Sequence, residues 1–230
     1  MSVNSINSSA INDKDILTIP KKSKSLVLKN QYKITKRTAD ILVSLIGLIF
    51  LSPLFLIISI AVKLDSKGPA FFVHKRIGKD GKIINVYKFR TMVDNAEGLI
   101  RKFTPEQLKK FNENFKLEDD PRITRIGKFL RKTSLDELPQ LLNILKGELS
   151  IIGPRPVVSN ELERYGENKE KFLSVTPGLT GYWAANGRSC TTYEERMQME
   201  LYYVDNISLK TDIEIFFKTI ILVLKREGAM

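Results

Sequence analysis

The chain has 230 residues with 37 basic against 26 acidic side chains, a formal net charge of +11. One histidine and one cysteine exclude an internal disulfide framework and the usual His/Cys zinc sites, so any metal would need oxygen ligands. The excess charge suits an anionic partner: a phosphate ligand, a nucleic acid or an acidic membrane surface.

Residues 1–38 hold eight basic side chains against two acidic ones. The first thirty residues are rich in Ser, Asn and Lys and lack a sustained period of 2 or 3.6, so 1–31 reads as a disordered basic tail. Ile41 to Val62 is an uncharged run, long enough as a helix, at roughly 33 Å, to cross a bilayer core of about 30 Å. Two features oppose simple crossing. Ser52-Pro53 interrupts the middle of the run, and the flanks (Lys33, Lys36 and Arg37; Lys63, Lys67, Lys75 and Arg76) are basic on both sides. A membrane segment over 32–67 that enters, breaks and returns satisfies both, and hydropathy leaves spanning and re-entrant forms open.

From residue 68 to the C-terminus the chain reads as a water-exposed domain. Two Phe/Val/Ile/Tyr-rich runs, 70–77 and 82–90, flank Gly78-Lys79-Asp80-Gly81 and predict a hairpin. Thr104-Pro105-Glu106-Gln107 opens a helix, and Ser134-Leu135-Asp136-Glu137 repeats that grammar before Leu138 to Leu145, with Gly147 as a stop. Ile152 to Pro156 and Thr176-Pro177-Gly178 are rigid breaks. Residues 193–204 are helical, and Asp212 to Glu227 is an amphipathic helix for the core or a membrane surface. The fold class is therefore α+β, mainly helical, with a small β-hairpin.

The densest chemistry lies between Asp119 and Arg155. Asp136 and Glu137, placed in a helical first turn, would stay ionised and could bind Mg2+ or attack an electrophile. Ordinary capping explains the same two residues. Arg122, Arg125 and Arg131 are either phosphate clamps or a solvated face. His74 is a general base or a structural histidine, and Trp183 and Tyr182 suit a core.

Asp120-Pro-Arg-Ile-Thr-Arg-Ile-Gly-Lys-Phe-Leu-Arg-Lys-Thr-Ser-Leu-Asp-Glu-Leu-Pro-Gln-Leu, followed by Gly153-Pro-Arg-Pro, resembles the bacterial sugar transferase family, the monotopic phosphoglycosyl transferases. Lys88-Phe-Arg-Thr-Met, Thr176-Pro-Gly-Leu-Thr-Gly and the Tyr202-Tyr203 region extend the likeness over about 32–230. The resemblance implies an enzyme (EC 2.7.8.-) moving a sugar-1-phosphate from a UDP-sugar to polyprenyl (undecaprenyl) phosphate with release of UMP. That would be the first membrane step of capsule, exopolysaccharide, O-antigen or glycoprotein glycan assembly.

It also implies a minimal catalytic form and a hairpin broken at Ser52 and Pro53. The location implied is the bacterial cytoplasmic membrane, with the active site on the cytoplasmic face. Asp136 would be nucleophile and Mg2+ contact, and Glu137 its catalytic partner, as a base for the acceptor or a positioning group. Arg131, Arg155, Lys88 and Arg90 would contact substrate phosphates, and Glu200 stands where the family carries an acidic residue, a second metal contact. Partners implied are the UDP-sugar, the polyprenyl phosphate, membrane lipid and downstream glycosyltransferases, but no nucleic acid. The competing reading is a basic membrane-surface adaptor without catalysis, which leaves Asp136-Glu137 and Gly153 to Pro156 without a task. Sugar specificity would reside in 157–190, including Asn186-Gly187-Arg188.

Overall fold

The computed structural model describes residues 30–114, 117, 120–187 and 191–225. Most of the expected basic tail, as well as Asp119, Arg188 and Cys190, lies outside the described residues.

A helix of 36 residues, α1 (Asn30–Asp65), carries the uncharged run and is the one described helix long and apolar enough to cross a membrane. The break expected at Ser52-Pro53 does not interrupt it: Pro53 lies inside the helix. Proline removes the N–H that would bond to the carbonyl four residues back. Here the Ser52 hydroxyl donates to that carbonyl, Ile49 O, at 2.8 Å, so the acceptor is satisfied and the helix continues.

One face of α1 packs on the domain along its whole length. Near its start, the Tyr32 hydroxyl and the Lys36 ammonium donate to Asp212 at 2.8 and 2.7 Å, and Asp40 accepts from Ser150 Oγ and Ile151 N–H. Leu48 and Leu51 join Ile84, Val86, Leu141, Ile144 and Leu149, while Leu54 and Phe55 pack against Ile58, Val62, Phe89 and Leu130. Asp65 accepts the Ile126 N–H at 2.9 Å. The other face leaves Leu42, Ile46, Ile49, Phe50, Ile57 and Leu64 exposed.

The expected hairpin forms from β1 (Phe71–Ile77) and β2 (Ile83–Phe89), antiparallel, with Phe72 opposite Lys88 and His74 opposite Val86. The predicted Thr104 cap is present: α2 (Pro105–Asn114) begins with Gln107 N–H on Thr104 Oγ1 and Thr104 N–H on Gln107 Oε1. Next comes α3 (Arg125–Thr133), capped by Thr124. It lies against the chain after β2 so closely that a Cβ on Gly127 would sit 2.1 Å from Thr91 O.

The Ser134 cap does not materialise. Ser134 instead ends α3 in the left-handed region, φ 58°, and Leu135–Glu137 forms a single 3-10 turn. Pro139 is the cause, since its ring would strike the carbonyl of Leu135 in a continuous α-helix. Helix α4 (Gln140–Lys146) starts only after it and stops at left-handed Gly147, as expected.

A second sheet pairs β3 (Ser150–Ile152) in parallel with β4 (Gly178–Thr180), bracketing the rigid Gly153 to Pro156 loop. Helix α5 (Tyr193–Asp205) matches the predicted 193–204 element. Helix α6 (Leu209–Lys225) buries Asp212 and Ile215 against the domain but exposes Ile213, Phe217, Ile220, Ile221 and Leu224. It therefore has one docked face and one bare apolar face.

Candidate active site

The 3-10 turn Leu135–Glu137 holds two carboxylates in contrasting surroundings. Asp136 is buried, and among the described residues no other side chain hydrogen-bonds to its carboxylate. Glu137 is half-buried; its Oε1 accepts from Lys88 Nζ at 2.5 Å, and the Arg155 guanidinium lies 3.8 Å away.

The neighbours divide the charge between them. Burial first, and then the negative charge of Glu137, push the Asp136 carboxyl above the ordinary carboxylate range, against Lys88 and Arg131. Burial also works to raise Glu137, but Lys88, Arg155 and Arg76 overcome it and hold that carboxyl well below its usual value. Glu137 is thus a firmly ionised anchor for two cations, and a weak base. Asp136 is the freer, more basic carboxylate.

Lys88 reaches the turn because β2 is fastened from below. Asn143 is fully buried on α4; its Oδ1 accepts Tyr87 N–H at 3.0 Å, and its Nδ2 donates to Asn85 O at 2.7 Å and Glu148 Oε2 at 2.6 Å. An amide supplies donor and acceptor together, which lets one side chain satisfy an edge strand's N–H and C=O. Asn143 was missed in the sequence because nothing local marks a polar residue inside a leucine-rich helix as a strand clamp.

The expected phosphate-contacting residues separate on inspection. Arg131 bonds Thr91 Oγ1 through Nε at 2.9 Å and feels both Asp136 and Glu137. Arg155 faces Glu137 from the rigid loop, and Lys88 completes the group. Arg90 is not with them. Its guanidinium donates to Lys67 O, Ser66 O and Val62 O at 2.5, 2.7 and 3.3 Å, holding one carbonyl of the last turn of α1 and two just beyond it. Residue 90 lies past the end of β2, so the alternation that aims Lys88 at the site does not carry to it. Arg122 is also withdrawn, in a bidentate pair with Asp120 and over the rings of Phe103 and Phe111.

His74 sits beside Arg76, Lys88 and Arg155. Burial, then the charges of those cations, drive its pKa down to about 3, so the ring is neutral and a poor base. Glu200 is 1% exposed; its Oε1 accepts the Arg155 N–H at 3.1 Å, and among the described residues its Oε2 has no partner. Burial pushes Glu200 up to about 7. Glu200 backs the Arg155 loop on a small cavity with Gly153, Gly181 and Trp183.

Among the described residues no three His, Cys, Asp or Glu side chains cluster as a metal cage. Mg2+ commonly binds through one or two carboxylates together with substrate phosphates. The open carboxylate of Asp136 between Lys88 and Arg131 fits that donor set.

A family model described as "Bacterial sugar transferase" matches residues 31–226. The chain belongs to this family. It is 45% identical over 204 residues to the undecaprenyl-phosphate galactose phosphotransferase of Salmonella typhimurium, covering 87% of this chain and 43% of that protein. It is 46% identical over 199 residues to an exopolysaccharide production protein of Sinorhizobium fredii, covering 85% of this chain and 88% of that one. With the UDP-galactose-lipid carrier transferase of Erwinia amylovora it shares 44% identity over 204 residues, 87% of this chain and 43% of the relative. The chain thus spans about two-fifths of the length of some curated relatives and nearly all of another.

Proposed function

We propose that the chain transfers a sugar-1-phosphate from a UDP-sugar to undecaprenyl phosphate, releasing UMP, through a covalent phosphosugar on Asp136. The observation that carries the reading is the asymmetric pair: an open, basic Asp136 carboxylate beside a Glu137 that gathers Lys88 and Arg155. An Asp136 oxygen attacks the sugar-bearing phosphorus, and the bond from that phosphorus to the UMP oxygen breaks. The acceptor's phosphate oxygen then attacks the same phosphorus, displacing Asp136 and leaving a lipid diphosphate sugar.

Lys88, Arg131 and Arg155 offset the charge that builds on the phosphoryl oxygens, and Glu137 keeps two of them in position. Mg2+, bound by Asp136 and the substrate phosphates, would supply further charge neutralisation. The acceptor needs little help in losing a proton, since a phosphate monoester has its second pKa near ~6. This agrees with a Glu137 too acidic to serve as base.

The packing of α1 supports a membrane arrangement within this reading. The domain holds its start at Asp212, its middle at Leu141 and Phe89, and its end at Ile126 N–H. A helix tied at all three levels to one domain does not carry its ends to opposite sides of a bilayer. We place α1 and the bare face of α6 in one leaflet, both ends of α1 on the side of the basic flanks, the cytoplasmic face. The enzyme would act in capsule, exopolysaccharide or related glycan assembly, ahead of glycosyltransferases that extend the lipid-linked sugar. An adaptor role is not favoured, because it gives the Lys88–Glu137–Arg155 group no purpose.

The test is UMP release from a panel of UDP-sugars by membrane-purified protein with Mg2+ and undecaprenyl phosphate, in parallel with Asp136→Asn. Release that requires lipid and Asp136 supports the reading and names the sugar. Release that survives Asp136→Asn overturns the covalent route.

A further inference from the structure

We propose that the prenyl chain of the lipid acceptor runs along one face of the β1–β2 hairpin, over Phe72 and against His74, with its phosphate at Lys88. This rests on the transferase reading above and locates the acceptor within it. The first three residues of β1, Phe71, Phe72 and Val73, are 44%, 49% and 46% exposed, and all three are apolar. A strand of a water-exposed sheet normally alternates, with apolar side chains on one face. Here apolar groups are exposed on both faces at the same end, and the two faces have different neighbours.

Phe71 stacks on Phe89, with ring centroids 5.1 Å apart, and Phe89 meets Phe55 of α1 at 5.3 Å. That face of the strand, which Val73 shares, continues the bilayer-facing apolar surface. Phe72 projects the other way. It stands directly opposite Lys88 in the register, and cross-strand partners share a face with Cβ atoms about 5 Å apart. Lys88 in turn grips Glu137 of the catalytic turn. An exposed aromatic residue therefore stands across the ladder from the lysine that reaches the reaction centre.

His74, next on the same face, meets Phe72 edge-on at 5.8 Å. Its ring is uncharged, because burial and the neighbouring Arg76, Lys88 and Arg155 disfavour a further positive charge, so His74 adds none to this face. Beyond it Arg76 is turned to Glu161 at 3.8 Å. The face thus sets an exposed apolar ring across the ladder from the lysine of the catalytic turn. A molecule with a phosphate head and a long hydrocarbon tail matches that pairing; a UDP-sugar, polar throughout, does not. Bulk lipid would be met equally by Phe72 and Val73, whereas the acceptor is met by Phe72.

Phe72→Ser and Val73→Ser remove similar exposed apolar groups from opposite faces and are compared in the full chain, with Phe72→Leu as the conservative variant. Binding of undecaprenyl phosphate to protein in nanodiscs is measured directly, alongside the acceptor KM and UMP release from UDP-galactose without acceptor. We expect Phe72→Ser to raise both the Kd and the KM for undecaprenyl phosphate about tenfold. Phe72→Leu should restore most of the loss, Val73→Ser should leave both constants within about twofold, and acceptor-free UMP release should be unchanged in all three. Equal effects of the two serine variants, or no effect of Phe72→Ser, overturn the proposal, as does a wild-type protein that fails to bind the lipid. Phe72-dependent lipid binding without UMP release from any donor would retain this site and sink the transferase reading instead.

Discussion

Helix α1 and the Leu135–Glu137 turn are built in opposite ways. Along α1 the working surface is one continuous segment, and its polar ties (Lys36, Arg37, Asp40, Asp65) lie toward its two ends. At the turn, the working surface is assembled from β2, α3, the turn itself and the Gly153 to Pro156 loop, each giving one or two side chains. A local surface tolerates single changes because its neighbours repeat the same chemistry. A converged site has one copy of each group and depends on whatever holds each group in place.

Perturbations should therefore graduate from the turn outward. Asp136→Asn removes the proposed nucleophile and should lower the transfer rate about 10³-fold or more, with the thermal midpoint little changed. A residual rate within tenfold of wild type would deny Asp136 its role.

Lys88→Met should cost about 10²-fold, read as kcat for UMP release, because the proposed phosphoryl-stabilising cation and the partner of Glu137 are lost together. Its pH profile carries a second signature. Asp136 attacks only when ionised, so its raised pKa predicts a rate that climbs with pH through about 6 and then levels. Lys88 lowers that pKa, so its removal should move the rising limb to higher pH.

Asn143→Ala strands the Tyr87 N–H and the Asn85 carbonyl, and should destabilise the fold by about 2–3 kcal/mol in urea melts. Activity at low temperature should fall less than in the Lys88 variant. The smallest effect belongs to Pro53→Ala. Taken alone, the apolar run leads one to expect that this change turns a hairpin into a spanning helix. With both ends of α1 tied to the domain, both should remain labelled from the same side by cysteine reagents, and stability should shift by no more than about 1 kcal/mol. An end of α1 that changes sides would break the contrast drawn here.

Legibility in the sequence follows the same division. The apolar run, the hairpin around Lys79-Asp80, the Thr104 cap and the Gly147 stop are local features, and each appears where the residues indicate. Ser134 misled, because its cap grammar is overruled by Pro139 five residues on. Pro53 stays inside α1, where the Ser52 hydroxyl takes up the Ile49 carbonyl that the proline leaves free. Arg90 and Lys88 look equivalent in the sequence, yet only tertiary contact separates a staple on α1 from a cation at the site. The acidic pair was visible, but its asymmetry depends on Arg131, Arg155 and Lys88, which stand about 5, 20 and 50 positions away along the chain. Asn143 had no local signal at all.

The most direct test of the central claim is mass spectrometry of the protein after exposure to its UDP-sugar and Mg2+ without acceptor. The account predicts a phosphosugar adduct on the peptide carrying Asp136, absent from Asp136→Asn and discharged when undecaprenyl phosphate is added. Full transfer activity with no such adduct, under quenching that preserves acyl phosphates, would contradict it.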